Sequence, residues 1–150
     1  MDQDYPELSR LMGLLFVAAS IIFNLSVSGV YLSVKFDSTV LLQVSGAIVI
    51  LLILPFSITL WGFVREKMEP KRILTVVIIL FYLLMELLFD YILMIPFRDI
   101  LALHVFYIIV LYAAAGNMIG NSFWIDKKLG FVVLATFMVL IGGLIYLYMG

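Results

Sequence analysis

The sequence predicts an all-α, polytopic integral membrane protein: a bundle of five transmembrane helices with the amino terminus cytoplasmic and the carboxyl terminus outside. Three observations predict it. Of 150 residues, 65% are hydrophobic and 13% charged, with a mean hydropathy of +1.23, which leaves a water-soluble chain this short more apolar surface than it can hide. The apolar residues gather into five segments, 11–34, 39–64, 73–95, 100–124 and 129–149, each long enough to cross the hydrocarbon core, which takes about 20 helical residues. The nine lysines and arginines are unevenly shared across five crossings. Arg10, Arg65, Lys67, Lys71, Arg72, Lys127 and Lys128 fall on one side, and Lys35 and Arg98 on the other. Positive short loops stay cytoplasmic, so the amino terminus is expected inside.

Each element follows in order. Segment 11–34 is too long for a secretory signal and lacks a basic region before it, so a permanent helix is expected. Its Ser20, Asn24 and Ser28 are four residues apart and share one face. Segment 39–64 contains Ile48-Val49-Ile50-Leu51-Leu52-Ile53-Leu54, which does not alternate as a barrel strand would, and a helix is therefore expected. Pro55 should kink it and release a carbonyl that Ser57 or Thr59 helps to satisfy. Gln43, Gly46 and Ser57 form a looser polar stripe there.

In segment 73–95, Tyr82, Glu86 and Asp90 make a second stripe at four-residue spacing. Pro96 should end that helix, with Arg98 and Asp99 in a solvated turn. Segment 100–124 carries His104 near its start. Its Gly116 and Gly120 stand at the spacing that lets helix backbones approach closely, which predicts a packing seam within the chain or, alternatively, a homo-oligomer contact. Asn117 and Asn121 share one side near the basic boundary and are suited to bridging helices. Segment 129–149 completes the bundle. Trp61 and Trp124 fall at the basic ends, and Tyr31, Tyr91, Tyr146 and Tyr148 toward the opposite boundary, as interfacial aromatic belts require.

The whole chain, 1–150, is expected to be one transmembrane domain. An odd number of segments does not divide into two equal inverted halves, and the connections at 35–38, 65–72, 96–99 and 125–128 are too short for a soluble catalytic domain. Cysteine is absent and there is one histidine, which excludes disulfides and thiolate metal ligands and disfavours histidine-rich metal sites. No cofactor is expected, and a net charge of -1 gives no support for nucleic-acid binding. The Asn24-Leu25-Ser26 triplet fits a glycosylation pattern but lies within a predicted span.

Function is expected at the two carboxylates. A charge at mid-bilayer costs about 3 kcal/mol on translocon-based scales, so such residues usually face a bundle interior or a watery cavity. Asn24 lies fourteen residues beyond Arg10 and Glu86 fourteen beyond Arg72, which at about 1.5 Å per residue places both some 21 Å deep and suggests that they touch. Asp90 lies one turn further out, and a hairpin through 96–99 would bring His104 near it. The expected ligand site is therefore Glu86 and Asp90 as the charged groups, with His104, Asn24, Gln43 and Tyr82 around them.

That set predicts binding or translocation of a cation, proton or small amphiphile by a cell-membrane protein in contact with membrane lipids. One alternative is an intramembrane enzyme using Glu86, Asp90 and His104 in acid–base roles on a lipid-soluble substrate. Another is an accessory or scaffold subunit whose acids meet a membrane-protein partner. An internal cavity lined by these groups favours ligand or enzyme, whereas carboxylates on an outer apolar face favour a partner. For Asn24, a purely structural role with Ser20 and Ser28 is the competing expectation.

Overall fold

The computed structural model describes residues 10–88 and 100–148. Six helices make up the described chain: α1 (Arg10–Lys35), α2 (Thr39–Leu51), α3 (Ile53–Arg65), α4 (Pro70–Leu87), α5 (Leu101–Ile125) and α6 (Lys127–Tyr148). There is no strand among the described residues. Four helical stretches are long and apolar enough to cross a membrane, namely α1, α2 together with α3, α5 and α6. The described part of α4 is eighteen residues long and includes Lys71, Arg72 and Glu86. Asp90, Tyr91, Pro96, Arg98 and Asp99 lie outside the described residues.

The break between α2 and α3 falls at the single residue Leu52. Its cause is Pro55, which has no N–H for the carbonyl of Leu51 and whose ring crowds that same carbonyl one turn back. Hydrogen bonding resumes at once, since Phe56 N–H donates to the Leu52 carbonyl at 3.1 Å. Thr59 Oγ1 donates to the Pro55 carbonyl at 2.8 Å, so the expected hydroxyl assistance exists but serves a different carbonyl. Ser57 is exposed.

Two helices end in the same way. After α1, Asp37 adopts φ 54° and Ser38 N–H reaches back to the Ser33 carbonyl at 2.9 Å. After α3, Lys67 adopts φ 57° and Met68 N–H reaches the Phe63 carbonyl at 2.9 Å. These are Schellman closures, which satisfy orphan carbonyls through one left-handed residue. Neither position is glycine, so each closure carries a backbone strain of about 1 kcal/mol. Ser38 then caps α2 by accepting from Leu41 N–H at 3.2 Å. Asp126 caps α6 by accepting from Lys128 N–H at 2.9 Å, which starts that helix two residues before the expected position.

α1 is the central element, packed on α2, α3, α5 and α6. Contacts at each end fix an up-and-down arrangement. Gly13 meets Ile125 and Gly62 meets Met12 at one end, where the Arg72 guanidinium also lies over the Trp124 ring at 4.6 Å. Lys35 lies over Tyr146 at 5.0 Å at the other. The first of these is the basic end. Phe16, fully buried, packs edge-on against Phe56 at 5.7 Å and in a tilted arrangement against Phe63 at 6.1 Å, and Phe63 in turn meets Trp124 at 6.3 Å. Interiors of membrane bundles are held by such contacts and by close backbone approach, because lipid offers no hydrophobic drive to bring helices together.

The close approaches are not where the sequence places them. A Cβ at Gly116 or Gly120 would meet nothing within 4 Å, and both residues are exposed; among the described residues they form no seam. The small-residue seam runs along α1 instead. A Cβ on Gly29 would collide with Ser45 Oγ, one on Gly13 would lie 2.9 Å from Ile125, and Gly143 of α6 sits 3.8 Å, by the same measure, from the Ser28 backbone. A two-glycine spacing marks a face that permits close packing, and which helix uses such a face depends on the partner surface.

Candidate functional site

Between the helices, in the half opposite the basic end, lies a cavity of about 320 Å3. Its polar groups are Tyr31 from α1, Tyr82 and Glu86 from α4, and His104, Tyr107 and Tyr112 from α5. Apolar wall comes from Gly46 of α2 and Leu144 of α6 among others. Every apolar segment of the chain therefore contributes to it.

Helical spacing explains the convergence. Tyr82 and Glu86 are one turn apart, and the Tyr82 hydroxyl donates to Glu86 Oε2 at 3.3 Å. On α5, His104, Tyr107 and Leu111 recur at three and four residues and line the cavity together. The Tyr82 and Tyr107 hydroxyls lie 2.8 Å apart and share a hydrogen bond between α4 and α5, while Tyr31 and Tyr112 are hydrogen-bonded between α1 and α5. Tyr82 is 1% exposed. Its ring also receives Phe23 edge-on at 5.6 Å, which holds the base of the cavity to α1. His104 Nδ1 is buried with no hydrogen-bond partner among the described residues.

Of the residues expected at a site, Tyr82, Glu86 and His104 meet around this one cavity. Asp90 lies outside the described residues. Asn24 does not join them. It is fully buried and its Nδ2 donates to Thr136 Oγ1 at 3.0 Å and to the Val133 carbonyl at 3.4 Å, both on α6. Depth arithmetic alone cannot choose a face: one residue rotates a helix by about 100°, and it is Phe23, not Asn24, that faces Tyr82. Ser20 and Ser28 bond to the carbonyls of Phe16 and Asn24 within α1. Gln43 is exposed on the outer turns of α2, and its neighbour Ser45 is the polar residue turned inward, against Gly29.

Tyr31, Tyr107 and Tyr112 were not expected here. Tyr31 has the spacing of an interfacial belt residue, but it is half-buried and faces the cavity. The signal for Tyr107 was its place one turn from His104 on the same face.

A second polar cluster ties α4 to α5 at the basic end. Arg72 Nη1 donates to Asn121 Oδ1 at 2.9 Å, Asn121 Nδ2 donates to Thr75 Oγ1 at 2.6 Å, and Thr75 Oγ1 donates to the Arg72 carbonyl at 2.5 Å. Asn121 is thus a bridge between helices. Among the described residues, no three of His, Cys, Asp and Glu come together as metal ligands would.

No protein-family model, curated protein or solved structure matches this chain.

Proposed function

We propose that this chain is a cell-membrane protein that crosses the bilayer five times, with its basic end cytoplasmic, and that it binds or translocates a small amphiphile or cation through the cavity in the opposite half. In this reading Glu86 is the charged group of the site, with Tyr82 and His104 beside it, and Asp90, four residues further along the sequence, is proposed as the second acid. The observation that carries it is the convergence of Tyr82, Glu86 and His104 on one cavity walled by every apolar segment. Ligand sites have this composition: mostly apolar walls with a few placed polar groups. The same observation favours a ligand over a partner protein, because the carboxylate of Glu86 is turned to an internal space.

Two measurements test this. The chain contains no cysteine, so single cysteines at Lys35 and Lys128 report topology cleanly; they should label with a membrane-impermeant maleimide from opposite faces, Lys35 from outside. Labelling of both from one face would remove the five-crossing arrangement. For the cavity, a neutral alkyl diazirine should cross-link to the full chain in nanodiscs at cavity residues, and Leu144→Trp should suppress those adducts. Adducts confined to exposed positions such as Ile109 and Val139, unchanged by Leu144→Trp, would remove the binding site.

A further inference from the structure

The cavity's chemistry narrows its ligand further. Among the described residues its wall contains one carboxylate, that of Glu86, and no lysine or arginine. Lys35, near the same end, is placed over the Tyr146 ring. An anionic ligand would therefore meet no counter-charge among the described residues of the wall. Four tyrosine rings line the same space, and aromatic faces carry negative electrostatic potential that attracts cations within about 6 Å of the ring centre.

The phenol hydroxyls are committed in pairs, Tyr82 with Tyr107 and Tyr31 with Tyr112. What the tyrosines present to an occupant is chiefly ring, which disfavours a ligand that needs several hydroxyl donors. An inorganic ion fits poorly as well. Hard cations require six or more oxygen ligands at close range, whereas this space is about 320 Å3 with leucine and valine walls and no three acidic or histidine groups meet in it among the described residues.

We propose that the cavity accepts a monovalent organic cation with an apolar body, a lipophilic ammonium. Its head lies by the Glu86 carboxylate and the rings of Tyr82 and Tyr107, and its body lies against Leu111, Leu144 and Leu147. This inference rests on the ligand-binding reading above and adds the charge and class of the ligand. The site exploits the property that distinguishes such a cation from a hydrocarbon of the same shape: a diffuse charge with a weak hydration shell, which aromatic rings and a carboxylate stabilise together.

The test uses the full chain in nanodiscs of phosphatidylethanolamine and phosphatidylglycerol, which carry no trimethylammonium headgroup, with empty nanodiscs subtracted. Tritiated octyltrimethylammonium is bound at equilibrium and competed with unlabelled octyltrimethylammonium, with its all-carbon isostere and with octanoate. Binding of the ammonium should exceed that of isostere and octanoate by about tenfold or more, the ratio expected of one charge-assisted contact. Glu86→Gln should remove most of that preference and Glu86→Asp should keep part of it. Tyr107→Phe, which retains the ring, should bind like the native chain, and Tyr107→Leu should bind several-fold more weakly.

Leu144→Trp separates the two levels of the argument. If the isostere or octanoate competes as well as the ammonium, and Leu144→Trp abolishes that binding, the cavity stands and the organic-cation inference falls. If no probe shows binding that Leu144→Trp removes, the cavity reading falls and the inference with it. The comparison of three probes on the native chain needs no variant to fold.

Discussion

The hydrogen bond between Tyr82 and Tyr107 is the most direct measure of whether the cavity wall is a built structure. Removing both hydroxyls, singly and together, gives a double-mutant cycle: Tyr82→Phe, Tyr107→Phe and the double variant. Hydrogen bonds between helices in membrane proteins average about 0.6 kcal/mol in such cycles and reach about 1.7 kcal/mol at best. This one is 2.8 Å long and its Tyr82 side is 1% exposed, so a coupling near 1 kcal/mol is expected. Tyr82→Phe should cost more than the coupling alone, about 1.5 to 2 kcal/mol, because it also removes the 3.3 Å contact to Glu86 and leaves a buried acceptor less satisfied. The rings stay, so the edge contact from Phe23 at 5.6 Å is preserved and loss of packing does not contaminate the result. Reversible unfolding by steric trapping in bicelles measures each corner of the cycle. A coupling of zero, or a Tyr82→Phe variant more stable than the native chain, would refute the hydrogen-bonded wall.

Three further outcomes follow from named contacts. Asn24→Leu should be close to neutral in unfolding assays, within about 1 kcal/mol, because it gives up the bond to Thr136 but also removes Asn24 Oδ1, a buried acceptor with no partner; a loss near 3 kcal/mol would mean that α1 and α6 depend on that amide. Gly116→Ala and Gly120→Ala should leave stability unchanged or raise it by up to about 1 kcal/mol through helix propensity, since both sites are open, whereas Gly29→Ala should destabilise by colliding with Ser45; equal effects at the three positions would overturn the placement of the seam on α1. Pro55→Ala supplies an N–H for the Leu51 carbonyl and should straighten α2 into α3; the chain should still fold, but cavity adducts of the diazirine probe should fall, because Gly46 and Val49, on the far side of the break, line the cavity.

The all-helical, membrane-spanning character was legible in the sequence because bilayer thickness and backbone hydrogen bonding leave few choices once apolar length is known. The expected segments 11–34, 39–64 and 100–124 agree with α1, α2–α3 and α5 to within about one residue at each end. What composition and depth cannot supply is rotation about each helix axis. Tyr82 and Glu86 were found because spacing of four residues puts them on one face wherever that face points. Asn24 and Gln43 were assigned to the cavity by depth, and each proved to face elsewhere, toward α6 and outward respectively. The same limit explains Gly116 and Gly120, a packing motif on a face that no helix covers among the described residues. Tyr31 is a different case: a tyrosine near a membrane boundary has a sufficient explanation in the interface, and only tertiary contact distinguishes a belt residue from a wall residue.

The cavity is bounded above and below by contacts of different kinds, and that difference assigns them different work. Toward the basic end the boundary is a layer of rings, with Phe23 against Tyr82 and, further in, Phe16 against Phe56 and Phe63. These are fully buried, and truncating one such phenylalanine typically costs about 3 to 5 kcal/mol, so this layer sets whether the bundle exists. Toward the opposite end, α1 is tied to α6 by Lys35 over Tyr146 at 5.0 Å and Phe36 beside Tyr146 at 6.1 Å. Tyr146 is 45% exposed, and a cation over an exposed ring contributes only about 0.5 to 1 kcal/mol. These two contacts can part at little cost without disturbing the layer beneath them. In the proposed reading, a ligand arriving from the side opposite the basic loops passes these contacts before it reaches the Glu86 carboxylate, and the phenylalanine layer lies between it and the basic end. Binding requires no more than this arrangement; translocation requires in addition that the ring layer part, and its burial makes that the costly step.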